Sequence, residues 1–296
     1  MEVAWGGDKH AVGVALMILT APIIFGGIRR VSRFAEMLVP LMATLYLLMA
    51  LYIIITNISL IPHVFGQIFD SAFNFKAAGG GLLGGLISQT MMIGIKRGLY
   101  SNEAGQGSAP NAAAAAEVKH PVSQGMIQML GVFVDTIIVC SCTAFIVLVY
   151  QQPYGDLNGA ELTQAAIISQ VGAWGADFLA IILFMFAFST VIGNYAYAES
   201  NVQFIKSHWL LTALFRMMVL GWVYFGAVAN VPLVWDMADM AMGTMAWINL
   251  VAILILSPLA FLLLRDYTAK LKMGKDPVFK LSEHPGLKRK IKSDIW

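Results

Sequence analysis

The chain has 296 residues, of which 58% are hydrophobic and only 12% are charged. An ordinary soluble domain carries about 25% charged residues. A soluble fold of this length could not hide so much apolar surface, because most of a globular surface faces water. The composition therefore predicts an all-α polytopic membrane protein in contact with the lipid bilayer. The net charge of +2 carries no signal for nucleic acid, and no nucleic-acid partner is expected.

Seven segments are candidate membrane spans, since a spanning helix needs about 20 mostly apolar residues. In chain order they are 11–27, 37–56, a region within 77–117, 126–150, 178–197, 209–228 and 246–264. Segments 61–73 and 160–171 mix apolar and polar residues, and we expect either short amphipathic helices at the membrane surface or ordered loops. Residues 1–265 are thus predicted to form the transmembrane domain, and residues 266–296 a polar, basic and mobile tail.

Basic residues predict the orientation of these spans. They follow the first, third, fifth and seventh spans, at Arg29, Arg30, Arg33, Lys119, Lys206 and throughout the tail. The loop at 151–177 contains no Lys or Arg. Because cytoplasmic loops carry an excess of Lys and Arg, the pattern predicts a cytoplasmic C-terminus and an outside N-terminus in the cell (inner) membrane. An outside N-terminus leads us to expect that an N-terminal portion is missing.

The third apolar region, 77–117, is too long and too polar for one straight span. About 41 helical residues would reach roughly 60 Å, whereas the hydrocarbon core is about 30 Å thick. Its middle, 94–110, contains four glycines, a proline and seven side chains that are charged or carry an amide or aliphatic hydroxyl. Such a segment cannot face lipid. A helix broken here would free carbonyls for a cation and helix ends for a carboxylate, as in transporter sites. The alternative is a tight cytoplasmic loop between two helices, with Lys96 and Arg97 at the inner surface.

Two ionisable residues lie well inside predicted spans: Asp135 is about ten residues into the fourth span, and Arg216 is about ten residues beyond Lys206. Such groups are costly in the membrane and are usually paired or functional. We expect Asp135 to pair with a buried base, with Arg216 and Arg97 as candidates. The alternative is that each charge separately reaches water or the membrane surface. Asp239, near a predicted outer helix start, is interpreted as a helix cap.

The fifth span carries Ser189, Thr190 and Asn194 within an apolar helix. Oxygen ligands suit hard cations, so these side chains are candidates for a cation or substrate contact. They could equally bond back to their own helix or pack against a neighbour. Cys140 and Cys142 are two residues apart on different helix faces, which makes a disulfide implausible. There is no nucleophile elbow, phosphate loop or zinc motif, so no catalytic residues and no enzyme activity are expected.

Three blocks of sequence, at 97–110, 120–125 and 131–136, resemble the alanine/glycine:cation symporter family in order and spacing. Residues 26–40 and 186–201 are also similar to that family, and the resemblance fades in the tail. It implies a leucine-transporter-type fold with two inverted five-helix repeats. It also implies sodium-coupled symport of a small neutral amino acid, alanine or glycine, without any cofactor apart from the coupling ion.

The resemblance also implies site positions. Region 77–117 would be the unwound first helix of the second repeat, and 178–197 the helix that lends hydroxyls to sodium. Candidate positions are Gly98, Ser101 and Asn102 for the substrate, Ser189 and Thr190 for sodium, and Asn194, where many members carry an aromatic residue over the substrate.

One departure from the family is large. Its members begin with further spans, including a broken helix with a Gly-Thr-Gly-Asn-like run, and nothing similar occurs here. We therefore expect an incomplete fold with the first repeat mostly missing, and a fragment that is inactive alone. A missing N-terminal half would then be a partner of this chain. The alternative is a non-transporting membrane remnant or partner subunit. The preferred amino acid, sodium versus proton coupling and the oligomeric state are left open.

Overall fold

The computed structural model describes residues 7–73 and 81–288, and every regular element within them is helical. The α-helices are α1 Lys9–Ile24, α2 Ile28–Thr56, α3 Ile61–Phe73, α4 Gly81–Asn102, α5 Ala109–Ala114, α6 Pro121–Phe133, α7 Cys140–Leu148, α8 Gly159–Val171, α9 Trp174–Ile205, α10 Trp209–Val228, α11 Val231–Lys272 and α12 Pro285–Lys288. A π-helical stretch, Val134–Val139, joins α6 to α7.

Five helical segments in the described part of the chain are long and apolar enough to cross a membrane. They are Arg33–Thr56, Pro121–Leu148, Trp174–Ile205, Trp209–Val228 and Val231–Lys272. This confirms the predicted all-α polytopic architecture. The count of seven stays a prediction: α1 is apolar but has only 16 residues, and the start of the third region, 77–80, lies outside the described residues.

The chain divides into two compact units. The first comprises residues 1–96 and 136–238, and the second comprises residues 97–135 and 239–296. Lipid tails are as apolar as leucine, so close packing and hydrogen bonds between helices, rather than hydrophobic burial, hold such units together.

The core of the first unit is built from α2, α3, α7, α8 and α9. Ile53, Ile146 and Ile167 are completely buried there. Polar side chains add specific links between helices: the hydroxyls of Tyr46 and Thr143 are 2.5 Å apart. The two predicted short helices exist as α3 and α8, and both contribute to this core; their location at the membrane surface stays a prediction. Cys140 and Cys142 form no disulfide, as expected.

The second unit includes the C-terminal residues, and for residues 266–288 the prediction of a mobile tail is wrong, while the rest of that tail, 289–296, lies outside the described residues. Helix α11 continues to Lys272, and the chain then folds back so that Phe279, Leu281 and Leu287 are buried against α11. The Phe279 amide donates to the Lys119 carbonyl at 2.9 Å. Three apolar side chains separated by polar ones are enough to dock this segment, which we call the C-terminal segment (273–288).

Candidate functional site

The long third region is interrupted between α4 and α5. Helix α4 ends at Asn102 and α5 begins at Ala109. Between them, Glu103, Gly105 and Gly107 have φ values of 55°, 85° and 88°. Positive φ costs an ordinary L-residue roughly 1–2 kcal/mol, so glycine at two of these three positions makes the irregular path affordable. We call residues 103–108 the break.

Side-chain amides satisfy backbone groups that the break leaves without helical partners. The Asn102 side-chain oxygen accepts a hydrogen bond from the Ala104 amide at 2.9 Å. The Gln106 amide nitrogen donates to the Leu99 carbonyl at 2.7 Å, and Gln106 is buried. The last carbonyls of a helix lack intrahelical donors, and Gln106 supplies one of them, while Asn102 accepts from an amide of the break. The break is therefore a built structure rather than a frayed helix end.

The predicted substrate positions Gly98, Ser101 and Asn102 all lie in the last turns of α4, directly before the break. The Ser101 hydroxyl donates to the Asp135 carboxylate at 2.7 Å. Asp135 lies in the π-helical stretch, and such stretches frequently occur at functional sites. Asp135 is partly buried, as its location in a span predicted.

A charged pair secures the same end of α4. One terminal nitrogen of Arg97 donates to both oxygens of Asp239, at 3.0 and 3.1 Å. The Arg97 side chain is 40% exposed and that of Asp239 is 19% exposed. Interpreting Asp239 as a helix cap was wrong, because α11 begins eight residues earlier, at Val231. Asp239 was missed as a partner of the break because its role depends on contact across 142 residues of sequence.

The C-terminal end of the break, at Gly107 and Ser108, is narrow and polar. A β-carbon added to Gly107 would lie 3.2 Å from the side-chain oxygen of Asn249, so only glycine fits without displacing that amide. Ser108 is 6% exposed, and its buried hydroxyl has no hydrogen-bond partner among the described residues. Backbone carbonyls, an amide and a free hydroxyl within one unit are suitable ligands for a hard cation or for the ends of a zwitterion.

The predicted sodium positions lie in α9, within the first unit. The Ser189 hydroxyl donates to the Phe186 carbonyl at 2.9 Å, which is the back-bonding considered as an alternative role. Thr190 and Asn194 are exposed and one helical turn apart. The spacing places both side chains on one face of α9. Among the predicted site residues, the structure brings Ser101 into contact with Asp135. It also places Thr190 one turn from Asn194 on the same face of α9.

A second polar cluster in the first unit involves Arg216. Its guanidinium donates to Glu199 at 2.7 Å and to the Tyr195 hydroxyl at 3.1 Å. The Tyr195 hydroxyl also contacts Glu199 and the Ile24 carbonyl. Glu199 is 5% exposed and receives a further hydrogen bond from Gln203 at 3.0 Å. The carboxylate partner of Arg216 is therefore Glu199, so the expected pairing of Asp135 with Arg216 is wrong, whereas Arg97 as a base for Asp135 stays a prediction.

The sequence carries a signal for this cluster in the spacing of three polar residues along α9. Tyr195, Glu199 and Gln203 are spaced four residues apart, which places all three on one face of α9. The Phe25 ring lies 5.6 Å from the guanidinium carbon of Arg216 and covers it. Because Glu199 is buried and already accepts hydrogen bonds from Arg216, Tyr195 and Gln203, it offers little room for a ligand, so we assign this cluster a structural role.

Similar proteins place the chain among known transporters. An uncharacterised transporter of Haemophilus influenzae is 56% identical over 99% of this chain and 61% of its own length. The amino-acid carrier protein AlsT of Bacillus subtilis is 47% identical over the whole chain and 62% of its own length. The sodium/alanine symporter AgcS of Methanococcus maripaludis is 41% identical over 86% of the chain and 55% of its own length.

The chain therefore spans about 60% of the length of the curated relatives it matches. The family to which these relatives belong consists of transporters rather than enzymes, and its members are multi-pass membrane proteins. The profile of the sodium:alanine symporter family matches residues 1–281, and the chain belongs to that family.

Proposed function

We propose that this chain takes part in sodium-coupled symport of a small neutral amino acid, alanine or glycine, across the cell membrane. The observation that carries the proposal is the break between α4 and α5. A transmembrane helix is interrupted only where its backbone lines a cavity or is buried in protein. Interrupted helices with glycines are the sequence feature most typical of transporter sites.

We further propose the leucine-transporter-type fold, with α4 and α5 as the first helix of the second repeat. The substrate positions are Gly98, Asn102 and Asn194, and the sodium positions are Ser189 and Thr190. The exposed hydroxyl of Thr190 and amide of Asn194 support this assignment, because polar groups at membrane depth require a polar neighbour. Ser101, whose hydroxyl is held by Asp135, orients the helix end beside the substrate.

The proposed orientation has seven spans, with the C-terminus in the cytoplasm. Exposed Lys206, at the end of α9, would lie on the cytoplasmic side, and the loop before α8 on the outside. Single cysteines at Lys206 and at Asn158 would test this with a membrane-impermeant thiol reagent. Labelling at Asn158 alone in intact cells supports the orientation, and labelling at Lys206 alone reverses it.

Transport is tested with the chain alone and as a chimera that replaces the matching stretch of the Methanococcus maripaludis symporter. Vesicles under an inward sodium gradient are supplied with labelled alanine, glycine or glutamine; glutamine is included because a Bacillus subtilis relative is named a probable sodium/glutamine symporter. We expect sodium-dependent alanine or glycine uptake by the chimera. Folded chimera without uptake of any of the three would contradict the proposal.

The residue assignments are tested in the same chimera. Thr190→Val should raise the sodium concentration needed for half-maximal uptake, because it removes one oxygen ligand. Thr268→Val is the matched control, since Thr268 is an exposed threonine whose hydroxyl only bonds back to its own helix. An unchanged sodium dependence in Thr190→Val would remove Thr190 from the sodium site.

A further inference from the structure

The second unit contains an elongated groove between one face of α11 and the C-terminal segment. Its volume is about 670 Å³, within the range of small-ligand sites. The groove is lined by Ser257, Pro258, Phe261 and Leu262, and by the ionisable side chains of Arg265, Asp266 and His284. Positions 257, 261 and 265 are four residues apart, so they form one stripe along the helix. The lining thus combines an apolar part with a group of polar side chains in which Arg265 is the cation.

A network of paired charges beside the groove links α11 to the C-terminal segment. Lys270 contacts both Asp266 and Glu283 at 2.8 Å. The hydrogen bond from Lys270 holds the pKa of Glu283 below its usual value, so this carboxylate stays ionised and paired. The Asp266, Glu283 and His284 ligand atoms lie within 4.8 Å of one another, a spacing that suits a metal. However, the Lys270 ammonium already contacts both carboxylates, so a divalent cation would have to displace it.

Unlike these paired groups, Arg265 has no ion-pair or hydrogen-bond partner among the described residues. Its side chain is exposed at the rim of the groove. The neighbouring Nε2 atom of His284 is buried, lies 3.5 Å from an Asp266 oxygen and has no hydrogen-bond partner in the described part of the chain. The polar end of the groove therefore offers a guanidinium to an anion, while the acids beside it are already paired.

The location of the groove indicates which anion it would hold. The apolar stretch 246–264 of α11 ends at Arg265, and basic residues are concentrated beyond it, at Lys270, Lys272, Lys288, Arg289, Lys290 and Lys292. This is where an apolar helix leaves the hydrocarbon core for the headgroup layer. Basic clusters directly after a transmembrane helix attract anionic lipids, and arginine matches phosphate geometry.

We propose that this groove binds an anionic phospholipid, with an acyl chain along Phe261 and Leu262 and the phosphate at Arg265. The charge at Arg265 recognises the headgroup and the apolar stripe holds the chain. Bound lipid would cover a strongly exposed ring, since Phe261 is 63% exposed. It would also fix the C-terminal segment against α11. This proposal does not depend on the transported substrate.

The test measures thermal unfolding of the purified chain in mixed micelles of phosphatidylcholine, with or without phosphatidylglycerol. Phosphatidylglycerol should raise the unfolding midpoint of wild type. Arg265→Gln should need about five-fold more phosphatidylglycerol for the same rise, because one basic residue near the membrane surface contributes about 1 kcal/mol to lipid binding. Lys206→Gln, an exposed lysine in the other unit, should respond like wild type. Arg265→Lys should retain most of the response, and Ser257→Trp should lose it by filling the apolar end.

Three outcomes would overturn the proposal. Equal stabilisation by phosphatidylcholine alone would show a detergent-like effect without headgroup recognition. If Lys206→Gln lost as much of the stabilisation by phosphatidylglycerol as Arg265→Gln does, the lipid would act by general attraction to the protein surface rather than at a site. Full stabilisation by inorganic phosphate would show that the apolar part of the groove contributes nothing. All three can be distinguished from a failure of transport, because the readout requires no substrate.

Discussion

Two ion pairs of this protein differ in how far they are exposed. The side chains of Arg216 and Glu199 are 20% and 6% exposed, and with Tyr195 and Gln203 they form a closed, hydrogen-bonded cluster. The pair Arg97–Asp239 is partly exposed and sits beside the break. A closed ionic cluster in apolar surroundings stabilises one arrangement of helices, because breaking it leaves a bare charge. A partly exposed pair contributes less to stability, because water screens its charges.

The largest expected effect comes from opening the closed cluster. Arg216→Met leaves Glu199 buried without its base and should destabilise the chain by about 3–5 kcal/mol, and Glu199→Gln should have a similar effect. The double variant should be less destabilised than the sum, because neither charge is then unpaired. Thermal unfolding midpoints in detergent measure all three. Additive losses would show that the two side chains do not act as a pair.

A smaller loss of stability is expected at the break itself. Gly107→Ala must adopt φ of +88° and place its β-carbon 3.2 Å from the Asn249 oxygen, which should cost about 1–2 kcal/mol or more. The matched control is Gly221→Ala in α10, where nothing lies within 4 Å of the added carbon. There alanine should be neutral or stabilising by up to about 1 kcal/mol. Equal midpoints for both variants would mean that the break tolerates a side chain.

The open pair should matter less for stability and more for function. Arg97→Gln or Asp239→Asn should cost about 1 kcal/mol or less, because the arginine is 40% exposed. We expect uptake by the chimera to fall more than about ten-fold, a change in transition-state free energy of about 1.4 kcal/mol. The exposed pair Lys119–Asp276 of the same unit is the control, since its removal should leave uptake unchanged. Equal uptake in both sets of variants would assign Arg97 a surface role.

The smallest effect is a pH dependence at the C-terminal segment. Burial lowers the pKa of His120, which is 0% exposed and lies against Asp266, Lys270 and His284. The neutral ring caps α6 by accepting from the Val122 amide at 3.1 Å. Because the undocked state binds the proton more tightly, docking is stabilised above the ordinary histidine pKa of about 6.5 and weakens as pH falls through it and below.

Hydrogen exchange of residues 276–287 measures this dependence. Protection, corrected for intrinsic exchange rates, should decrease between about pH 7.5 and about pH 5.5 in wild type. His120→Asn retains a capping side chain but cannot titrate, so its protection should change less over this interval. The same decrease in both proteins would assign the pH dependence to another group.

Much of the architecture could be predicted from the sequence, because spans depend on local composition. The apolar runs at 37–56 and 209–228 are helices in the structure, and the polar middle of 77–117 contains the break. The exact position of the break was not predictable. It depends on whether Asn102 and Gln106 turn back to the backbone, and glycine content alone does not determine that.

The least predictable feature was which side chains on different helices pair with one another. Arg216 and Glu199 are 17 residues apart on neighbouring helices, and only the packing of α9 against α10 brings them together. The C-terminal segment was missed for a different reason. Its basic composition is typical of a mobile tail, yet Phe279 and Leu281 alone provide much of the surface that docks it.

The most direct test compares uptake per folded molecule for two variants of the chimera, Asn102→Ala at the break and Arg216→Met in the closed cluster. We predict that Asn102→Ala loses sodium-driven alanine uptake, while its unfolding midpoint falls by less than that of Arg216→Met, since a lost hydrogen bond to the backbone costs less than an unpaired buried charge. Arg216→Met should unfold at a lower temperature and keep its uptake per folded molecule. The reverse result, with transport lost in Arg216→Met and retained in Asn102→Ala, would contradict the assignment of function to the break.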